Sequence, residues 1–264
     1  MYDFTYHRPS SLDDAAVAIK GAGDGTFLAG GQTLLPILKL RLANPSDVVD
    51  LGDIAELKGI TVDGDTVTIG AMTPHAEVAG SADVCAKIPA LADLAESIGD
   101  LQVRNRGTIG GSIANNDPAA DYPAAVVGLG ATVHTNARTI AADDFFTGLL
   151  ETALNDGEII TAVSFPVPDK AAYQKYGNPA SRYAIVGVML SSGSAGVRVA
   201  ITGAGPCVFR QGDMERALAG SFSADAVAGV TVSADGLNSD IHASAKYRAH
   251  LVGVMAKRAV AACA

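Results

Sequence analysis

The chain has 264 residues, of which 48% are hydrophobic and 18% charged, and a formal net charge of −9 at pH 7. This length predicts two domains or one large domain, and the composition is typical of a globular protein. No apolar run reaches the roughly 18 residues that a membrane-spanning helix needs. The acidic balance argues against a nucleic-acid partner, because phosphate binding requires a basic surface. The sequence does not begin with a basic segment followed by an apolar one, so we predict a cytoplasmic protein.

Cysteines and histidines exclude several metal sites. Cys85, Cys207 and Cys263 are widely separated and form no Cys-x-x-Cys pair, whereas iron–sulfur clusters and structural zinc sites need grouped ligands. The histidines lack the His-Glu-x-x-His spacing, and we find no Gly-x-Ser-x-Gly motif, P-loop or EF-hand loop. Hydrolase, kinase and metalloenzyme functions are therefore disfavoured, and we predict no metal ligand in this chain.

The first 55 residues predict a small α/β unit. Ser11 begins a helical stretch with acidic residues in its first turn and glycines at its end. The apolar segment 25–29 predicts a buried strand, a glycine turn follows, and "TLLPILKLRL" (33–42) predicts a helix with Pro36 in its first turn. The segment 47–51, "DVVDL", predicts the next strand.

In residues 56–170 the spacing of apolar residues along the chain changes. "LKGITVDGDTVTIGAM" (57–72) predicts a β-hairpin around Asp-Gly-Asp, and 73–99 predicts helix with a break near Pro89. After a polar, glycine-rich loop, "PAAVVGLGATVHTN" (123–136) predicts a helix and then a strand. The segment 158–168 predicts a last strand, whose prolines mark a boundary.

The remainder, 171–264, predicts a smaller α+β domain. Two apolar strands within 183–209 turn at "SSGSAG", and helices follow at "DMERALAG", from Asp225 and from Ser244. An antiparallel sheet backed by helices accounts for this order. We therefore expect a domain boundary near residue 170 and a division of the first domain near residue 55.

Two glycine loops carry the clearest functional signal. Gly30-Gly31 and Gly110-Gly111 each follow an apolar element and precede a hydroxyl residue, Thr33 or Ser112. Glycine permits close approach to the backbone, and successive N–H groups at a helix start form an anion-binding concavity. A single Gly-Gly pair is more often a plain turn, but two such loops could hold the two phosphates of one dinucleotide. Neither loop has the Gly-x-Gly-x-x-Gly pattern, so a standard Rossmann domain is disfavoured.

Asp121 follows the second loop directly before "YPAAVV". Its carboxylate could accept a hydrogen bond from a ribose or adenosine hydroxyl of a nucleotide. It could equally cap the following helix.

The segments "AGGQTLLPILKLRLANPSDVVDL" and "IGDLQVRNRGTIGGSIANNDPAADYPAA" resemble the FAD-binding medium subunit of the molybdenum hydroxylases. This family includes aerobic carbon monoxide dehydrogenases, and the flavin domain of xanthine dehydrogenase is related. The resemblance extends from "FTYHRPSSLDDAA" through "DFFTGLLETALNDGEIITAV" to "HASAKYRAHL". Gln32 and Thr33 depart from it, because medium subunits of carbon monoxide dehydrogenase can carry histidine and serine there.

The resemblance implies an α+β fold: an FAD-binding module of two subdomains, similar to that of vanillyl-alcohol oxidase, in residues 1–170 and a smaller α+β domain in 171–264. It implies FAD as the cofactor, with its diphosphate between the two loops. Ile160 matches a position that makes a main-chain contact to the flavin. Tyr183 matches an aromatic position beside the flavin ring, or it is simply a core residue. Lys175 lies in the same segment as Tyr183. The implied cofactor contacts are Ala29, Gly30, Gly31, Gln32, Thr33, Thr108, Ile109, Gly110, Gly111, Ser112, Asp121, Ile160, Lys175 and Tyr183.

The implied activity is electron transfer within a larger oxidoreductase. Substrate would be hydroxylated at a molybdopterin centre on a large subunit, and electrons would pass through [2Fe-2S] clusters on a small subunit to this FAD. The acceptor would be a quinone, NAD or O2, and the assembly a dimer of heterotrimers. Carbon monoxide is the leading substrate, with xanthine, aldehydes and N-heterocycles as alternatives. A free-standing flavin oxidase and a non-catalytic scaffold subunit are weaker alternatives. No residue of this chain is expected to act as a catalytic acid or base.

Overall fold

A computed structural model describes residues 1–263, and its first unit is a three-stranded parallel sheet of order β1-β3-β2. Ser11 Oγ accepts a hydrogen bond from Asp14 N at 3.1 Å and so caps the first helix, as the sequence predicts. A short 3-10 turn at Ala55–Leu57 leads out of the unit. The elements are β1 (Thr5–His7), α1 (Leu12–Gly21), β2 (Gly25–Leu28), α2 (Leu34–Lys39) and β3 (Asp47–Asp50).

The second unit is a five-stranded antiparallel sheet of order β4-β5-β10-β6-β7. The helical segment 73–99 is three short helices with a break at Pro89. The strands of this sheet are β4 (Ile60–Asp63), β5 (Thr66–Gly70), β6 (Thr132–Thr135), β7 (Thr139–Ala141) and β10 (Ile160–Pro166). Two further strands, β8 (Phe146–Gly148) and β9 (Glu151–Thr152), pair as a separate antiparallel hairpin. The helices are α3 (His75–Gly80), α4 (Ala82–Lys87), α5 (Pro89–Glu96), α6 (Leu101–Arg104), α7 (Ile109–Asn115), α8 (Tyr122–Gly128) and α9 (Ala142–Phe145).

The third unit is a four-stranded antiparallel sheet of order β11-β12-β13-β14 with helices beside it. The predicted hairpin turns where Gly193 pairs with Gly196. The first strand of this sheet is an addition to the sequence prediction, which placed only a boundary there. The elements are β11 (Lys170–Gly177), β12 (Ala184–Gly193), β13 (Gly196–Thr202), β14 (Phe209–Arg210), α10 (Gly212–Gly220), α11 (Ala224–Ala228) and α12 (Ala245–Ala262).

Helix α8 joins the second and third units. All its residues are buried, which is expected of a helix that is apolar on every side. Its carbonyls accept hydrogen bonds from the third sheet, since Arg198 Nε donates to Val127 O at 2.7 Å and Ser191 Oγ to Gly128 O at 2.6 Å. The apolar core of the second unit also includes Tyr173 from the third sheet. The domain boundaries near residues 55 and 170 stay predictions.

Within residues 1–263, no helix has both the length and the apolar character that crossing a bilayer requires.

Candidate functional site

A cavity of about 510 Å³ lies where the three units meet. The first glycine loop, residues 29–33, lines one wall, and the second, residues 108–112, lines another. The loops contact each other directly, because a Cβ built on Gly111 would lie 3.1 Å from Ala29 Cβ, and one built on Gly30 would lie 2.1 Å from the backbone oxygen of Arg106, just before the second loop. The fold therefore brings together two segments that are almost 80 positions apart in the sequence, as the loop analysis predicts.

The first loop presents free backbone donors. The N–H groups of five successive residues, 30–34, donate no hydrogen bond within the described chain. Gly31 has a φ of +73°, which glycine adopts without strain and which turns the chain sharply into α2. The Thr33 side chain lies at the start of that helix and makes no capping bond. Free backbone donors at a helix start can form an anion-binding nest.

The second loop uses its backbone donors within the protein, which differs from our expectation of two similar nests. Ile109 N donates to Thr73 O at 3.3 Å and Gly110 N to Ala71 O at 2.8 Å. Gly111 N donates to Thr108 Oγ1 at 3.1 Å. What this loop leaves free is the Ser112 hydroxyl, which lines the cavity and makes no hydrogen bond among residues 1–263.

Asp121 does not cap α8, since its side chain makes no bond to the start of that helix. Instead, its Oδ1 accepts a hydrogen bond from the Tyr173 hydroxyl and lies 3.0 Å from Lys175 Nζ. Burial raises the pKa of Asp121, while the Lys175 ammonium and the Tyr173 hydroxyl act in the opposite direction. The carboxylate is 5% exposed and forms part of the cavity wall.

The remaining predicted site residues divide into two groups. Ile160, the first residue of β10, and Tyr183 line the cavity. Tyr183 is 50% exposed, so the alternative that it is a core residue is wrong. Ile109 and Lys175 do not line the cavity: Ile109 is fully buried, and Lys175 lies behind Asp121, where its Nζ also donates to Ser97 O at 2.9 Å.

Several cavity residues were not predicted from the sequence, and His75 is the most unusual of them. It is 5% exposed, and its Nδ1 has no partner among residues 1–263. Burial, with a smaller contribution from Arg104, lowers the pKa of His75 to about 4, so the ring is neutral at pH 7. Its backbone N donates to Gly107 O at 2.9 Å, which ties it to the base of the second loop.

A second missed group links two parts of the cavity lining. Arg182, in a left-handed conformation at φ +62°, donates from Nη1 to Gly99 O at 3.1 Å. Both residues line the cavity. Gly99 lies in "IGDLQVRNRG", directly before the second loop, and Arg182 precedes Tyr183. Their adjacency to predicted site residues is the signal that could have identified them.

Glu158, two residues before β10, is an acidic residue of the cavity lining. Hydrogen bonds from the Arg138 guanidinium lower its pKa to about 2, with Asn155 N and the Thr135 hydroxyl contributing. Because its oxygens are already bonded to these groups, Glu158 supports the cavity wall and offers little to a ligand.

Comparison with known proteins agrees with this geometry. A family model described as the FAD binding domain in molybdopterin dehydrogenase matches residues 2–168. The carbon monoxide dehydrogenase medium chain of Hydrogenophaga pseudoflava is 37% identical over 97% of this chain and 96% of that relative. The nicotine 6-hydroxylase medium subunit of Paenarthrobacter nicotinovorans is 36% identical over 97% and 95%. A structure of reconstituted CO dehydrogenase from Oligotropha carboxidovorans superposes with a TM-score of 0.91 at 35% identity, covering 99% of this chain and 97% of that one. The chain therefore belongs to the FAD-binding family of molybdopterin dehydrogenase subunits.

Proposed function

We propose that this chain holds FAD in the cavity and transfers electrons from the [2Fe-2S] clusters of a small partner subunit to an external acceptor. The observation that carries this proposal is the first glycine loop. It lines the cavity, and its five free N–H groups are the donors that an anionic ligand requires. The electrons would originate at the molybdopterin centre of a large subunit. The proposed acceptors are a quinone, NAD or O2.

The residues present fit FAD. Its diphosphate is an anion, and the free amides of the first loop are the donors that such an anion needs. The second loop contributes a close-packed wall and the Ser112 hydroxyl. Apolar side chains in the lining, among them Ile98, Val103 and Leu154, suit an aromatic ring system. We propose that the predicted contacts that line the cavity bind the cofactor, and that Ile109 and Lys175 support it from behind.

Each part of the chain has a defined task. The first loop binds the negative charge, Tyr183 and Arg182 cover the opening, and the apolar wall excludes water. When bound, FAD supplies the redox chemistry. No side chain of this chain is required as a general acid or base.

Exposed leucines support contact with partner subunits. Leu40 and Leu42, at the end of α2, are 70% and 73% exposed, and Leu149 and Leu150, between β8 and β9, are each 58% exposed. Exposed apolar side chains in pairs are typical of protein interfaces. We propose a large molybdopterin subunit and a small [2Fe-2S] subunit as partners, assembled as a dimer of heterotrimers in the cytoplasm.

Carbon monoxide is the substrate that we propose first. The support is the similarity to two carbon monoxide dehydrogenase medium chains, each at 37% identity. The nicotine hydroxylase subunit is 36% identical, so identity alone separates these substrates weakly. The substrate would bind to the large subunit, which leaves aldehyde, xanthine and N-heterocycle oxidation as the alternatives.

Titration of the purified chain with FAD, FMN and riboflavin tests the cofactor site. We expect FAD to give a flavin absorption band near about 450 nm in the bound fraction and to bind at least about a hundredfold more tightly than riboflavin, because only FAD offers a diphosphate to the first loop. Equal affinities for FAD and riboflavin would overturn the diphosphate assignment. A folded chain that retains no flavin, alone or with its partner subunits, would overturn the cofactor proposal.

The substrate is tested in the assembled complex under anaerobic conditions. Carbon monoxide, an aldehyde and an N-heterocycle are added separately, and loss of the flavin band is followed. We expect carbon monoxide to give the fastest loss. If another class gives the faster loss, that class replaces carbon monoxide in the proposal while the electron-transfer role stands.

A further inference from the structure

A buried group of three side chains lies behind the cavity wall: Asp121 before α8, and Tyr173 and Lys175 on β11. Both β11 residues contact the same oxygen of Asp121, Oδ1. Lys175 is held from its other side by Ser97 O, at 2.9 Å from Nζ. The carboxylate is therefore fixed in position by two donors on one strand.

The other carboxylate oxygen, Oδ2, has no hydrogen-bond partner in the described part of the chain. Unlike the unpartnered atoms that are fully buried, such as His75 Nδ1, it keeps some exposed surface. Because Asp121 is part of the cavity wall, this oxygen is accessible from the cavity. An ionised carboxylate accepts strongly from a hydroxyl group.

The sheet makes room for the Tyr173 hydroxyl. Gly187 lies in the interior of β12, opposite Lys175 in the strand pairing. A Cβ built on Gly187 would lie 2.3 Å from the Tyr173 hydroxyl oxygen. Glycine within a strand often marks a close approach by another group. Here it leaves the space that the hydroxyl needs to reach Asp121.

We propose that Tyr173 is a positioning residue of the cofactor site: with Lys175 it fixes Oδ1 of Asp121 and so leaves Oδ2 to accept a hydrogen bond from a hydroxyl group of FAD. This inference rests on the proposed function. It explains why a tyrosine with its hydroxyl buried is placed where a phenylalanine would pack equally well in the apolar core. It also accounts for the distance of Lys175 from the cavity.

The surroundings of Asp121 determine how pH acts on this arrangement. Lys175 and Tyr173 face it from β11, Tyr122 is its neighbour on α8, and Asp117 and Tyr183 line the same cavity. Removal of the Tyr173 hydroxyl removes a donor that favours the carboxylate, so the pKa of Asp121 rises further. FAD affinity falls as the carboxylate becomes protonated at decreasing pH. Without the Tyr173 hydroxyl, this loss of affinity would begin at a higher pH than in wild type.

The test compares Tyr173→Phe with Tyr176→Phe, a matched change at a 39% exposed tyrosine on the same strand. FAD affinity is measured by flavin fluorescence from about pH 5 to 9, together with the melting temperature of each chain without FAD. We expect Tyr173→Phe to bind FAD about tenfold more weakly, to lose affinity at a higher pH than wild type, and to melt normally. Tyr176→Phe should match wild type throughout.

Three results would count against the proposal, and they are distinguishable. If wild type binds FAD and Tyr173→Phe has the same affinity and pH profile, Tyr173 has no positioning role. If wild type binds no FAD, the proposed function itself fails. A weaker affinity of Tyr173→Phe that follows a lower melting temperature, without a shifted pH profile, assigns Tyr173 to packing alone and also overturns the proposal.

Discussion

The two glycine loops look alike in sequence but use their backbones differently. In the first, five successive N–H groups have no partner among the described residues, and Gly31 turns the chain sharply within this stretch. In the second, the N–H groups at 109–111 are bonded to Thr73, Ala71 and Thr108. The first loop leaves its donors free for a ligand, whereas the second uses them to hold two parts of the fold in contact. A Gly-Gly pair before a helix therefore indicates close approach, either to a ligand or to the protein itself.

Substitution of Gly110 gives the largest expected effect. A Cβ at this position would lie 2.6 Å from Ala71 Cβ and 2.7 Å from Ala71 O, and backbone cannot move aside as a side chain can. We expect Gly110→Ala to lower the free energy of unfolding by about 3 kcal/mol, measured by urea denaturation. Any loss of FAD in this variant would then follow from unfolding.

Gly253 provides the matched control for Gly110. It lies inside α12, and a Cβ there would meet nothing within 4 Å. Gly253→Ala should leave stability unchanged or raise it by up to about 1 kcal/mol, because alanine favours helix. If Gly110→Ala is as stable as wild type but binds no FAD, the second loop is a ligand-binding loop and the contrast between the loops is wrong.

The pH dependence of stability tests whether His75 is held neutral next to the second loop. Its pKa is about 4 in the folded chain and about 6.5 when unfolded. Between these values the unfolded chain binds the extra proton, so stability falls as pH decreases from about 6.5 to about 4 and the loss levels off below. The full contribution is about 3 kcal/mol.

The measurement is urea denaturation of wild type and His75→Gln at several pH values. The variant lacks the titrating ring, so its stability should fall less between about pH 6.5 and 4. Parallel curves for the two proteins would show that His75 titrates normally and is not held neutral behind the loop.

The charge preference of the first loop is tested at Thr33. Asp and Asn both serve at a helix start and differ mainly in charge. We expect Thr33→Asp to bind FAD at least about tenfold more weakly than Thr33→Asn, because a carboxylate beside the nest repels the diphosphate. Fluorescence titration at low and high salt measures this, and the difference should shrink as salt rises. Equal affinities of the two variants would place the diphosphate elsewhere.

Much of this architecture follows from local patterns in the sequence. The Ser11 cap, the strands at 25–28 and 47–50, and the break at Pro89 each depend on residues close in sequence. The cavity position of most predicted site residues follows from the two loop motifs together with the family resemblance. These are features that propensity, periodicity and motif spacing report directly.

The hydrogen-bond partners of each loop's backbone N–H groups could not be predicted in the same way. The partners of the second loop's amides are backbone oxygens of residues 71 and 73, whose position depends on the packing of the whole second unit. The contact between Asp121 and Tyr173 joins positions 52 apart. Because Asp is common at helix starts, the capping interpretation was equally open from sequence. Only tertiary structure shows that the side chain points away from its own helix.

Ser112 gives the smallest expected effect and measures what the second loop adds to binding. Its hydroxyl is the free polar group that this loop presents to the cavity, and no hydrogen bond among residues 1–263 depends on it. Ser112→Ala should therefore melt like wild type and bind FAD about two- to fivefold more weakly, the contribution of one neutral hydrogen bond. Thr33→Ala is the matched loss of a hydroxyl on the first loop. If Ser112→Ala lowers FAD affinity as much as Thr33→Ala does, the hydroxyls of the two loops contribute to binding on equal terms. A wild-type affinity would instead make the second loop a wholly structural wall.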